Sequence, residues 1–162
     1  RCVTTNARDP QEMEKIFKEG GARAIGVSNF TARHLEELLA ECDVVPAVNQ
    51  VEFSPFLFQK GLLEYCGKKG IAVEAYSPLT RASKLGHPEI LKIAEAHGKT
   101  PAQVLIRWSL EKGCIPLPKS ARKHRIFENA AVFGFSLGEE ETARLDSLDE
   151  GFRTAWDPSK IS

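Results

Sequence analysis

The chain has 162 residues, of which 42% are hydrophobic and 27% charged, which suits one globular domain with a sizeable core. Its 22 Lys and Arg balance 22 Asp and Glu, so the overall charge gives no reason to expect nucleic acid or a membrane surface as partner. The longest apolar runs are strand-sized, which excludes a membrane-spanning helix, and the opening Arg1-Cys2-Val3-Thr4-Thr5-Asn6 lacks the apolar core of a signal peptide.

Asp9-Pro10-Gln11-Glu12 is a capping box with Pro at the first helical position, and Gly20-Gly21 closes that helix. A strand over Arg23–Val27 follows. Thr31 then caps a helix through about Cys42 that carries Leu35, Leu38 and Leu39 on one face. Pro46 precedes a second strand, Ala47–Val51; a helix from about Gly61 to Lys69 is stopped by Gly70, and a third strand covers Ile71–Tyr76. The next connection holds two helices. Pro88–His97 ends at Gly98, and Thr100-Pro101-Ala102-Gln103 is a capping box opening a helix that runs to the stop at Gly113. The fourth strand is Cys114–Leu117. Helices near Lys123–Val132 and Glu139–Asp149 follow, the latter capped by Ser136, and residues 151–162 read as an irregular tail.

Short strands alternating with helices specify a parallel α/β sheet. No G-x-G-x-x-G follows the first strand, which disfavours a doubly wound sheet. The pattern fits four consecutive βα units of a (β/α)8 TIM-type barrel, with residues 1–10 as a divergent lead-in. Half a barrel leaves parallel-strand edges unpaired and an apolar face uncovered, so self-association through open edges is expected. Cys2, Cys42, Cys66 and Cys114 form no Cys-x-x-Cys pair and have no His at ligand spacing. No metal site is expected, and a reducing, cytoplasmic compartment is.

The strand ends carry the polar residues. In a barrel, ligands are held at the C-terminal ends of strands. Ser28-Asn29 offers a hydroxyl and an amide that can donate to and accept from a planar carboxamide, although turn chemistry at a helix entry selects the same pair. Asn49-Gln50 places amides inside an apolar strand, where Gln50 is either paired to the scaffold or aimed at a ligand. Tyr76, ahead of Ser77-Pro78-Leu79, can stack on a flat heteroaromatic ring or serve as a core tyrosine. The fourth end, Lys119-Ser120, leads through Arg122, Lys123, His124 and Arg125 into a helix with Glu128-Asn129 behind. Cations at a helix N-terminus make a phosphate site; a solvated basic turn is the usual fate of a charge run, but charge concentrated here in an otherwise balanced chain favours ligand binding.

These pieces together resemble the C-terminal half of an aldo-keto reductase. The matching runs are Ile25-Gly26-Val27-Ser28-Asn29-Phe30, Val48-Asn49-Gln50-Val51-Glu52, Ala75-Tyr76-Ser77-Pro78-Leu79, Gly98-Lys99-Thr100-Pro101-Ala102-Gln103-Val104, and Pro118-Lys119-Ser120 with Arg125-Ile126-Phe127-Glu128-Asn129. The resemblance implies NADPH as cofactor. Ser28, Asn29 and Gln50 match residues that hold the nicotinamide carboxamide, and Tyr76 matches the aromatic stacked on the nicotinamide ring. Ser77 and Leu79 match pyrophosphate contacts; Lys119, Ser120 and Arg125 match the 2′-phosphate clamp; Glu128 and Asn129 match the adenine pair. Charge agrees independently, because two cations suit a dianionic phosphate and a bare ribose needs neither.

The resemblance also implies a catalytic Asp, Tyr, Lys and His supplied by the first half of the barrel. With Tyr76 assigned to stacking and Tyr65 lying within a helix, no tyrosine of this chain is left as proton donor. His34, His97 and His124 fall on helices and His87 at a helix boundary, so no catalytic residue is assigned. Arg1–Pro10 departs from the family pattern, and with the Arg start it suggests a fragment of a carbonyl reductase acting on an aldehyde or ketone. The alternative is a non-catalytic NADPH-binding half-barrel that dimerises or is completed by a partner. Residues 1–162 are accordingly taken as one partial NADP-dependent oxidoreductase domain.

Overall fold

A computed structural model describes residues 2–4 and 10–160. The chain divides into two compact units, one comprising Arg1–Val51, Gln59–Glu74 and Asp157–Ser162, the other Glu52–Phe58 and Ala75–Trp156.

The first unit contains β1 (Cys2–Thr4), α1 (Pro10–Lys18), β2 (Ala24–Ser28), α2 (Ala32–Glu41), α3 (Lys60–Lys68) and all but the tips of β3 (Val48–Glu52) and β4 (Ala72–Tyr76). The strands are parallel where their register is defined: Val3 lies opposite Ile25 and Thr4 opposite Gly26, while Val27 faces Asn49 and Ser28 faces Gln50. Ala72 N–H continues the ladder to Ala47 C=O at 3.0 Å. Ile25, Gly26 and Val27 are all buried, the continuous burial of a parallel strand covered on both faces. Thr31 caps α2 as the sequence predicts. Its Oγ1 accepts from His34 N–H at 3.3 Å, and His34 Nδ1 accepts from Thr31 N–H at 3.3 Å, so histidine takes the place that Glu or Gln usually fills. Glu14 of α1 accepts from Val44 N–H at 2.7 Å and meets Lys18 at 3.2 Å. The Val44 bond and, less, the Lys18 ammonium outweigh desolvation and hold its carboxyl below the usual range.

One correction concerns strand number. The sequence reading has four strands, whereas Cys2–Thr4 forms a fifth strand beside β2. Three residues are too few to show a period, and it is pairing with β2 that makes them a strand. The Asp9 cap lies outside the described residues.

Gly26 marks a close approach. A Cβ there would sit 2.5 Å from Val48 Cγ2 and 2.9 Å from Val48 O, and the latter is backbone that cannot turn aside. Gly26→Ala is therefore expected to cost about 1–3 kcal/mol, the usual cost of overpacking. Chemical denaturation would show it as a lowered midpoint at unchanged slope. A midpoint equal to that of the parent would mean that β2 and β3 are not packed this tightly.

The second unit holds the tips of β3 and β4, then α4 (Pro88–His97), α5 (Pro101–Glu111), β5 (Ile115–Leu117), α6 (Lys123–Ala130) and α7 (Glu139–Asp146). The strand tips stand in the order β3-β4-β5. Pro88 and Pro101 open their helices, and Gly98 ends α4 in the left-handed region (φ 59°). Ile90, Ile93 and Ala94 form the buried stripe of α4, while α5 buries Gln103, Val104, Leu105, Ile106, Trp108 and Ser109 over most of its girth. Phe53, Phe56, Trp108, Val132 and Leu145 complete this core.

The boundaries of α6 and α7 differ from expectation. The N-cap of α7 is Gly138 and not Ser136: Gly138 N–H donates to Glu141 Oε2 at 2.8 Å, and it is Glu141 reaching back that starts the helix. The helix predicted near Lys123–Val132 ends at Ala130, and the one predicted to Asp149 ends at Asp146. The tail is less irregular than its composition suggests. Buried Glu52 at the tip of β3 accepts from Thr154 N–H (2.7 Å), Thr154 Oγ1–H (2.5 Å) and Ala155 N–H (3.1 Å), and Pro158–Lys160 forms a 3-10 turn. Among the described residues no helix is long and apolar enough to cross a membrane, and Cys42, Cys66 and Cys114 are free thiols.

Candidate functional site

In the first unit, the C-terminal ends of β2 and β3 bring Ser28, Asn29 and Gln50 together. Ser28 Oγ donates to Gln50 C=O at 3.0 Å and accepts from Asn29 Nδ2 at 3.3 Å. Asn29 N–H donates to the same carbonyl at 2.8 Å while its backbone adopts a positive φ of 62°, a conformation that asparagine tolerates better than most residues. Gln50 Nε2 donates to Glu74 Oε2 at 2.8 Å. Of the two options left open by the sequence, the amide nitrogen is thus engaged by the scaffold, and its carbonyl oxygen is the end that can accept from a ligand.

Asn49 plays a part that its sequence position only hinted at. It is fully buried, its Nδ2 donates to Phe30 C=O at 2.9 Å, and its Oδ1 accepts from Phe30 N–H at 3.3 Å. One amide thus satisfies both backbone groups of the residue after Asn29 and fixes the turn that presents the Ser28-Asn29 pair. A buried amide in an apolar strand was the signal.

In the second unit, Tyr76 ends β4 half-buried. Burial pushes its phenol above the ordinary range, the Glu52 carboxylate adds to this, and Arg153 and Arg81 oppose it. The following residues line a pocket of about 590 Å³ whose wall includes Ser77, Leu79, Lys119, Ser120, Arg125, Glu128 and Asn129. Seven of the eleven residues singled out in the sequence thus share one cavity; Ser28, Asn29, Gln50 and Tyr76 are not part of its lining. Arg81 lines it as well, giving three cations against one carboxylate, Glu128. Lys119 and Arg125 are exposed, and the N-cap of α6, Arg122, makes no side-chain bond to the first-turn amides. Open amides and free cations at one helix N-terminus can accept an anion.

The backbone is strained around these strand ends. Every described non-glycine residue with positive φ lies at one of them or just beyond: Asn29, Ser77, Thr80, Arg81 and Ala82. Each costs on the order of 1–2 kcal/mol, and such strain clusters at ligand-holding sites. Thr80, β-branched and buried, is held there by its own hydroxyl, which donates to Leu79 C=O at 2.8 Å and accepts from Lys84 N–H at 3.2 Å. Sequence reasoning gave no role to Thr80–Ala82, because no residue type there announces a left-handed run.

The profile of the Aldo/keto reductase family matches residues 10–150. Glyoxal reductase of Bacillus subtilis is 46% identical over 149 residues, covering 92% of this chain and 54% of that protein. Among solved structures, MGS-M4, an aldo-keto reductase from a Medee basin deep-sea metagenome library, aligns with a TM-score of 0.89 at 36% identity, over 94% of this chain and 57% of its own. An aldo-keto reductase complexed with NADPH (AKR2E5) aligns at 0.84 and 39% identity, over 89% of this chain and 47% of its own. The chain therefore spans about half the length of the relatives it matches. Its alternating strands and helices, parallel where their register is defined, agree with that match, and the chain belongs to the Aldo/keto reductase family.

Proposed function

We propose that this chain forms the cofactor-holding part of an NADPH-dependent carbonyl reductase built on a (β/α)8 barrel. The observation that carries this reading is the 590 Å³ pocket, which gathers Ser77, Leu79, Lys119, Ser120, Arg125, Glu128 and Asn129 on one wall system. The donor set fits the dinucleotide. Lys119, Ser120 and Arg125 suit a 2′-phosphate, Ser77 and the amide backbone after β4 suit the pyrophosphate, and the Glu128–Asn129 pair suits an adenine amine and its neighbouring ring nitrogen. In the first unit, Ser28, Asn29 and Gln50 suit a carboxamide, and in the second the half-buried ring of Tyr76 suits stacking on a flat heteroaromatic. When bound, NADPH supplies the hydride that reduces an aldehyde or ketone to an alcohol. This chain's residues bind and orient the cofactor, and none of them is assigned as proton donor, because its only tyrosines are Tyr76 and Tyr65 of α3.

The test is direct titration. Adding the full chain to NADPH should enhance and blue-shift nicotinamide fluorescence saturably, with NADH binding more weakly. A cooperatively folded chain that leaves NADPH fluorescence unchanged would overturn the reading.

A second reading is favoured by exposed apolar side chains in the second unit. Ile115 and Leu117 of β5, Ile126 and Phe127 of α6, and Phe133 all lie open, Phe133 at 76%. They support a non-catalytic NADPH-binding module that self-associates or is completed by a partner. Sedimentation velocity showing a well-folded monomer at micromolar concentration would sink this version.

A further inference from the structure

Glu128 is the one carboxylate in a pocket whose other charged lining residues, Arg81, Lys119 and Arg125, are cations, and it lies on a short helix with little packing of its own. The helix α6 has eight residues, no side-chain cap at its start, and exposed Ile126 and Phe127. Such a helix does not hold a side chain in place by itself. What holds Glu128 comes from the start of α5. Gln103, 6% exposed, donates from Nε2 to Glu128 C=O at 3.0 Å and to Ala131 C=O at 3.1 Å, tying down carbonyls of the last turn of α6. Its Oε1 accepts from Thr100 N–H at 3.0 Å, which fixes the orientation of the amide. Thr100 Oγ1 accepts from Gln103 N–H at 3.3 Å and donates its one proton to Glu128 Oε1 at 2.9 Å. The capping box of α5 thus grips both the backbone and the carboxylate of Glu128.

We infer that Thr100 is a positioning residue for base recognition: its hydroxyl holds Glu128 so that the second carboxylate oxygen serves the pocket, and this sets a preference for adenine over a 6-oxo purine. The inference rests on the reading of the pocket as an adenine nucleotide site. The chemistry follows from the donor pattern. An exocyclic amine beside a ring nitrogen needs an acceptor next to a donor, which Glu128 and Asn129 supply, both lining the pocket with Thr100. Hypoxanthine places a carbonyl oxygen where adenine has its amine and so sets an acceptor against the carboxylate. Once the hydroxyl is lost, a glutamate on an exposed helix is free to swing into water, and the base is no longer read.

The experiment is calorimetric titration of the full chain with NADPH and with its hypoxanthine analogue, comparing the two dissociation constants within each variant. The parent chain is expected to favour adenine about tenfold, the worth of one hydrogen bond to a charged group. Thr100→Val is expected to bring the ratio within about threefold, while Thr100→Ser keeps it. Thr100→Asp retains a capping oxygen but no donor, and is expected to lose the ratio too, which covers the case where Thr100→Val folds poorly. A merely structural loss of the cap would weaken both nucleotides alike and leave the ratio unmoved. A parent ratio retained in both Thr100→Val and Thr100→Asp would overturn the inference, as would retention in Glu128→Ala. NADPH bound by the parent chain with no preference for adenine would overturn it and leave the cofactor reading standing. No binding of either nucleotide by the folded parent chain would instead bring down that reading, and this one with it.

Discussion

Replacing Lys119 and Arg125 together by alanine is expected to weaken NADPH binding by about a hundredfold or more and NADH binding by less than about threefold, taking roughly 1.5–3 kcal/mol for each hydrogen bond to a charged group. Both side chains line the same pocket and both are exposed, so each can reach a ligand without first breaking a buried contact. Arg presents a planar fork of donors and Lys a compact charge, and together they balance a dianionic phosphate. Exposure also means screening, so the lower end of that range is the better guide. The effect should shrink as salt rises and the Debye length falls to about 8 Å at physiological ionic strength. Each single variant should lose about tenfold on the same scale. The decisive quantity is the difference between the cofactors: equal losses for NADPH and NADH would remove the 2′-phosphate assignment, whatever the absolute affinity.

Trp108→Ala is expected to cost about 3–5 kcal/mol of stability. Trp108 is fully buried in the second unit, stacked on Phe53 (centroids 5.2 Å apart, planes at 25°) and met edge-on by Phe58 (5.3 Å, 78°). Its Nε1–H donates to Asp146 Oδ1 at 2.8 Å, and the other oxygen of that carboxylate takes Lys112 Nζ at 2.6 Å. Lys112 Nζ in turn lies 4.9 Å above the Phe58 ring. Truncation leaves a cavity the size of an indole and deprives the half-buried Asp146 of one donor. Against a total stability of about 5–15 kcal/mol, that is enough to put folding at risk. Thermal melting should fall by roughly 10 °C or more, at about 2–4 °C per kcal/mol for a chain of this size. Trp108→Phe separates the parts, since it keeps most of the packing and removes only the donor; a loss of about 1–3 kcal/mol there would assign the remainder to the cavity. If Trp108→Ala melted with the parent, the aromatic cluster would not be the core of this unit.

Much of this molecule was legible in the residues. Proline at the first helical position and a Thr or Gln that bonds the first turn are local devices, so the starts of α4 and α5 and the cap of α2 follow from a few consecutive residues. The polar strand ends stood out for the same reason: Lys119-Ser120 and Asn49-Gln50 interrupt apolar runs, and polarity at the end of a buried strand needs a partner.

What the sequence determined by itself is therefore the order of the elements, their parallel α/β class and the family, all of which rest on short-range chemistry and on motif spacing. Tertiary structure alone decided the matters of long-range pairing. Cys2–Thr4 became a strand only because β2 offers it an edge. Gln50 turned its amide nitrogen to Glu74, Asn49 closed on Phe30, and Thr100 reached across 28 positions to Glu128. A side chain's type says what it can bond. Which partner lies within 3 Å is a property of packing, and packing exists only once the chain has folded.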